Sequence, residues 1–225
     1  MKAYKTAALT AVWRKMGNVD DLSVKYVPFH LRIFARLLGM LDWPSVDTIS
    51  KRAVAINSII ERINPKTIVE IGCGYSTRPQ TFQQIKFYQL DLEQIADAKK
   101  DVISFDAGRD KPNLDINKAL FIVEGLTMYL DDKEVHNILK EIKKYKGQLV
   151  IDFFNRQNST KQKTFREKLY KLLFKMLIGK NHLFDFRIDD IESGEKLLKN
   201  IGFKNVKYID YKIKKTLDSL FYAEF

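Results

Sequence analysis

Cysteine occurs once in this chain, at Cys73. A lone thiol excludes an internal disulfide and any cysteine-based zinc cluster, and it favours a reducing compartment, with the cytoplasm as the expected location. Cys73 itself reads as a small packing residue rather than a reactive thiol. Histidine is almost as sparse. His30, His136 and His182 are scattered without metal-ligand spacing, so no metal is expected. No uninterrupted apolar run reaches the ~20 residues that a membrane span needs, and Met1–Thr10 leads into no signal-type apolar core. The phosphate-cradling pattern G-x-x-x-x-G-K-[ST] is missing, which argues against phosphoryl transfer. Neither internal repeats nor a low-complexity linker interrupts the chain.

What is present describes an ordinary folded protein. The 225 residues are 45% hydrophobic and 30% charged, enough for one full core. The net charge of +11 is unevenly placed: +5 over residues 1–65, zero over 66–159 and +6 over 160–225. A solvated lysine-rich surface explains this. Attraction for an acidic substrate, an anionic membrane surface or nucleic acid is the sharper reading.

From Thr67 onward, apolar runs alternate with helical stretches, the pattern of a parallel α/β sheet. Strands are expected near 67–71, 86–90, 102–105, 119–123 and 148–153. A helix near 131–146 has acids at its start, lysines at its end and Gly147 as its stop. A second amphipathic helix is expected near 161–178, and a short one near 190–200 ends at Gly202. Phe203–Ile209 and Ser219–Phe225 then suit an antiparallel pair rather than another helical crossover. Residues 1–65 read as helices that cap a domain spanning 66–225, the whole forming one compact unit. Within them Pro28–Leu41 is nearly all apolar, and reads as a cap helix or as a basic amphipathic helix for a membrane surface.

The densest signal is Ile68-Val69-Glu70-Ile71-Gly72-Cys73-Gly74, followed by Gln89-Leu90-Asp91. Two apolar runs, each carrying an acid at or near its end, and a glycine pair after the first form the pattern by which class I methyltransferases hold S-adenosylmethionine. Glycine lets backbone approach a ligand that a side chain would push away. Asp91, 19 residues after Gly72, falls where the second strand meets ribose hydroxyls, with Leu92 beside it. Glu70 can accept from the amino group of the methionine portion. Gly72, Cys73 and Gly74 admit that portion to backbone and to the start of a following helix. Asp106, with Ala107 beside it, suits the adenine amino group. The dinucleotide alternative expects G-x-G-x-x-G, and Thr77 stands where its third glycine belongs. The expected fold is therefore α/β: a Rossmann-like class I methyltransferase sheet of five parallel strands plus a C-terminal antiparallel pair, under an N-terminal helical cap.

The segment Glu124-Gly125-Leu126-Thr127-Met128-Tyr129-Leu130 resembles the E-G-x-x-x-Y-L signature of the leucine carboxyl methyltransferase family, whose bacterial members include tetracenomycin polyketide O-methyltransferase-like enzymes. Ile68–Pro79 is similar to that family's V-V-x-L-G-A-G-x-D-T-R-P segment, and Tyr88–Lys99 to its E-x-D-x-P-x-V-x-x-x-K. Ser50-Lys51-Arg52 resembles the R-T segment before the first strand, and Thr6–Arg14 its N-terminal T-A-x-x-x-x-x-R. His182–Gly202 resembles the family's path into a final L-x-x-x-G-F/W. Ser76, Thr81 and Gln89 depart from the pattern, and the chain is short for the family.

The resemblance implies an S-adenosylmethionine-dependent O-methyltransferase that leaves S-adenosylhomocysteine and acts on a carboxylate or hydroxyl of a small molecule or protein. It implies that Arg52, helped by Arg14 or Lys15, pairs with the methionine carboxylate, and that Glu124 and Gly125 border the cofactor or the acceptor. Arg78 and Tyr129 are candidate acceptor contacts, or packing residues with satisfied polar tips. Glu124, Tyr129, His182 and His30 are the candidate bases, and an already ionised carboxylate would need none. The methyl acceptor is unnamed by the sequence. A methyltransferase for RNA or another polyanion and a non-catalytic cofactor-binding member are the alternatives.

Overall fold

The computed structural model describes residues 3–155, 186–211 and 218–225. The helix expected near 161–178 and His182 lie outside them. Seven strands form one sheet in the order β3-β2-β1-β4-β5-β7-β6. These are β1 (Thr67–Ile71), β2 (Lys86–Asp91), β3 (Val102–Ser104), β4 (Lys118–Val123), β5 (Lys146–Phe154), β6 (Lys204–Ile209) and β7 (Asp218–Glu224). The first five run parallel, and β7 lies antiparallel to both β5 and β6. The order reverses between β1 and β4. Ile71 pairs with Leu90 and Val123, so the carboxyl ends of β1, β2 and β4 share one rim.

The strands read as unbroken apolar runs because both sheet faces are covered. Val69, Phe121, Leu149, Ile151 and Phe221 point to one side. There they meet Val135, Ile138, Leu139 and Ile142 of α6 (Asp132–Ile142) and Leu198 of α7 (Ile191–Ile201). Ile68, Leu120, Ile122, Val150 and Leu220 point to the other, against Ile56, Ile59 and Ile60 of α3 (Trp43–Ile63). Alternation with a period of two thus sorts each strand between two cores. Helix α3 is thus itself a covering layer of the sheet.

Helices α1 (Ala3–Met16) and α2 (Phe29–Leu41) form a third cluster, in which Trp13 donates from Nε1 to the Ala35 carbonyl at 2.8 Å. Two short helices, α4 (Arg78–Thr81) and α5 (Glu93–Ala98), follow β1 and β2. Helix α6 opens on a capping box between Asp131 and Glu134 and ends at Ile142, earlier than expected. Gly147 is not its stop but the second residue of β5, paired with Ala119. With φ near 141°, a Cβ there would meet the Ala119 carbonyl oxygen at 1.9 Å. The glycine is required by the neighbouring strand, not by the helix.

Candidate cofactor site

A cavity of about 370 Å3 opens at the rim where the strand order reverses. Ligands of open α/β sheets bind at such a switch point, outside the carboxyl ends of the strands. Its floor is the Gly72–Gly74 loop after β1, and its walls carry Asp91 and Leu92 after β2 and Asp106 and Ala107 after β3. Arg52, Glu124 and Gly125 complete that side. The sequence-expected residues Arg52, Gly72, Cys73, Gly74, Asp91, Leu92, Asp106, Ala107, Glu124 and Gly125 are therefore brought together. Thr6, Ala7, Thr10, Ala11 and Arg14 of α1 roof the same space, with Tyr129 and Glu134 on the far wall. Lys15, exposed, stays outside.

The loop is held by backbone geometry. Gly72 and Cys73 both donate to the Leu90 carbonyl, at 2.8 and 3.3 Å. Gly74 has φ near 51°, and a Cβ there would sit 3.2 Å from that of Ala7, so glycine lets the loop pass under α1 without strain. Its N–H donates to Asp91 Oδ2 at 2.6 Å, and the Leu92 N–H to Oδ1 at 2.8 Å. Burial raises the Asp91 carboxyl above its ordinary range, against these two N–H groups. Burial, with the Asp91 charge beside it, also keeps Cys73 a neutral thiol.

Glu70 takes another place than expected, and Arg78 takes the packing role of its two expected ones. Glu70 is 2% exposed and sits behind the cavity, accepting from Ser76 Oγ at 3.1 Å, Arg78 Nη1 at 2.7 Å and Gln89 Nε2 at 2.5 Å. Gln89, which replaces an acid in the family pattern, also accepts from Lys99 Nζ at 2.6 Å; only a neutral amide can serve both partners. Arg78 is buried between Glu70 and Glu124 and donates from Nε to Asn57 at 2.9 Å. It is a strut, not an acceptor contact. The helix start expected to face the methionine carboxylate is only the four-residue α4, and the cationic side of the cavity comes from Arg14 and Arg52 instead.

Those two arginines converge on Glu124. Arg14 Nη2 and Arg78 Nη2 each reach Oε2 at 2.7 Å, and Arg52 Nε reaches Oε1 at 3.2 Å. Arg52 Nη1 also binds Asp152 Oδ2 at 2.7 Å and pairs with Asp218. Burial pushes Glu124 up, but Arg14, Arg78 and Arg52 together hold its carboxyl well below the usual range. It stays charged and is no base near neutrality. Tyr129 keeps its proton, since burial pushes its phenol up to about 12. His30 is exposed on α2 and lines no part of the cavity. None of the described base candidates can therefore accept a proton at neutral pH inside the cavity.

Sequence reasoning missed Asp152 and Asp218. Asp152 lies inside the apolar run of β5, and nothing local marks it or Asp218. Burial raises the Asp152 carboxyl to about 6, with Arg52 opposing and Asp218 adding to the rise. Its Oδ1 accepts the Gly125 N–H at 2.7 Å.

The residues fit the cofactor that the sequence suggests. Arg14 is 7% exposed and lines the cavity, and its buried Nε has no hydrogen-bond partner. A volume of about 370 Å3 also lies within the range of small-molecule sites, roughly 300–1,000 Å3. Among the described residues no group of acids, histidines or cysteine has the arrangement of a metal site.

No protein-family model matches the sequence, and no curated protein matches it. Solved structures do. A Thermobifida fusca protein provisionally assigned as a methyltransferase superposes with a TM-score of 0.61 at 11% identity, covering 96% of this chain and 93% of its own. A Bordetella parapertussis protein provisionally described as exported gives 0.61 at 11%, covering 99% and 95%. A Nostoc punctiforme protein provisionally assigned as an O-methyltransferase gives 0.54 at 13%, covering 80% of this chain. The fold is that of a class I methyltransferase. This chain spans only about 60% of the Nostoc protein's length.

Proposed function

We propose that the protein is an S-adenosylmethionine-dependent methyltransferase that methylates oxygen, on a carboxylate or hydroxyl of a small molecule or protein. The observation that carries this reading is one cavity joining the Gly72–Gly74 loop, Asp91, Asp106 and Arg14. In it the chain presents a cation for a carboxylate, acids for a ribose diol and an adenine amino group, and open backbone between them. When bound, the cofactor supplies an electrophilic methyl group and leaves as S-adenosylhomocysteine.

The chain's own contribution is alignment and exclusion of water. Arg14 and Arg52 bind the carboxylate end, Asp91 the diol, and α1 closes the space from above. Fixed alignment alone can lower a barrier by roughly 7–11 kcal/mol. Because Glu124 and Tyr129 cannot take a proton at neutral pH, an acceptor oxygen that is already ionised suits the site, and a carboxylate meets that condition. The resemblance to the leucine carboxyl methyltransferase family supports the same class.

Calorimetric titration with S-adenosylmethionine and S-adenosylhomocysteine tests the reading, followed by methyl-label transfer onto carboxylate, phenol and RNA pools. Saturable binding of both ligands is expected, and silence with both sinks the reading. Asp91→Ala should weaken binding roughly 10–100-fold, as expected for loss of a charged hydrogen-bond acceptor. Label appearing only on RNA, with binding that falls steeply with salt, would favour the polyanion alternative that the net charge of +11 raises. Cofactor binding without label transfer would favour a non-catalytic member.

A further inference from the structure

Among the described residues, nothing covers the outward face of α2. Phe29, Ile33, Leu37 and Met40 are 74, 50, 56 and 67% exposed, and Trp43, just past the helix end, is 53% exposed. At 3.6 residues per turn these α2 side chains fall on one side. Leu31, Ala35 and Leu38 fall on the other and are buried in the cluster with α1. A contiguous apolar row of this kind marks a contact surface, where scattered single residues would not.

The charge of the face selects the partner. Helix α2 contains His30, Arg32 and Arg36 and no acidic residue. Arg36 is exposed and shares the outward side with Ile33 and Met40, while Arg32 is tied to the Val27 carbonyl at 2.7 Å. Arg36 stands one residue from the middle of the helix, so two copies paired about a two-fold axis would set their Arg36 guanidiniums against each other. The net charge of +11 opposes self-pairing further. The face sets apolar side chains beside the exposed Arg36, the arrangement that lies in an anionic headgroup layer.

We propose that α2 seats the protein on an anionic lipid bilayer, with Phe29, Ile33, Leu37, Met40 and Trp43 at the acyl boundary and Arg36 among the headgroups. The contact between Trp13 and Ala35 then holds α1, and with it the roof of the cavity, one helix layer from the lipid. This inference rests on the surface alone and stands whatever the cavity binds.

The test is co-sedimentation of the full chain with vesicles of phosphatidylcholine, alone or mixed with phosphatidylglycerol. Binding is expected on the anionic vesicles only. Phe29→Ser, Ile33→Ser and Met40→Ser together should lower the partition coefficient roughly tenfold or more. Arg36→Gln should lower it about fivefold, the worth of one basic residue near an anionic surface. Melting curves check that the variants fold, and Phe29→Ser alone serves if the triple variant does not. The proposal is overturned by no binding to anionic vesicles, or by binding that the serine variants leave intact. A dimer in sedimentation velocity that those variants dissolve, or a complex with polyglutamate without vesicle binding, also overturns it.

Discussion

Glu124 sits where three guanidiniums meet, and Arg52 in turn holds Asp152 and Asp218 from two further strands. Removing one partner of a buried ion pair leaves charge without compensation, at about 3–5 kcal/mol. Arg52→Leu should therefore lower the urea midpoint by that equivalent, and Arg52→Lys should recover little, because a single ammonium cannot reproduce the fork across three acids. The glycine loop makes a separate prediction. Gly74→Ala places a side chain at φ near 51° and 3.2 Å from Ala7. The left-handed conformation costs about 1–2 kcal/mol, and the tight contact pushes α1 a few tenths of an ångström from the loop. A modest fall in melting temperature with a larger loss of S-adenosylmethionine affinity, read by calorimetry, is expected. An equal loss in both would mean that the glycine serves only the fold.

At the scale of elements, α1 connects the two halves of the site. Its inner side roofs the cavity, while Trp13 on its other side is 3% exposed and bonded to α2. Trp13→Ala should cost about 3–5 kcal/mol of stability, as for other buried aromatic truncations. It should also weaken cofactor binding without touching the cavity wall, measured by titration well below the new melting temperature. Binding unchanged in a folded variant would show that α1 does not need this anchor. The elements themselves were legible where the signal is local. Strands buried on both faces show as apolar runs, and Gly72, Gly74 and Asp91 stand at spacings fixed by one βαβ unit. The ion network was not legible, because Arg52 and Asp218 lie 166 residues apart and meet only through the sheet order. Gly147 was misread for the same reason: its constraint is the Ala119 carbonyl on the neighbouring strand, which no pattern around residue 147 reveals. Glu70 reads as a ligand contact because its motif is local, whereas its burial depends on Ser76, Arg78 and Gln89.

For the molecule as a whole, the site's carboxylates act on stability in separate pH windows. Burial raises the Asp152 carboxyl to about 6 in the folded protein, against about 3.9 in an unfolded chain. Between those values the folded state binds more protons, so the stability contributed by Asp152 is present below about pH 4 and is lost as pH rises through 6. Glu124, held well below its ordinary range, has the opposite sign: its contribution is present above the unfolded value and lost as pH falls through the folded one. The two windows adjoin near pH 4, which predicts a maximum on the acidic side of neutrality. The melting temperature should rise as pH falls from 7 towards 5, then drop at lower pH as Glu124 is protonated and the arginine cluster loses its central anion. Asp152→Asn separates the two contributions. It removes the group titrating near 6 while an amide oxygen still accepts from Gly125, so the rise between pH 7 and 5 should flatten while the acid limb remains. Melting curves across pH for both proteins decide the matter. A variant that retains the rise would place the titrating group elsewhere, with the raised carboxyl of Asp91 as the next to replace.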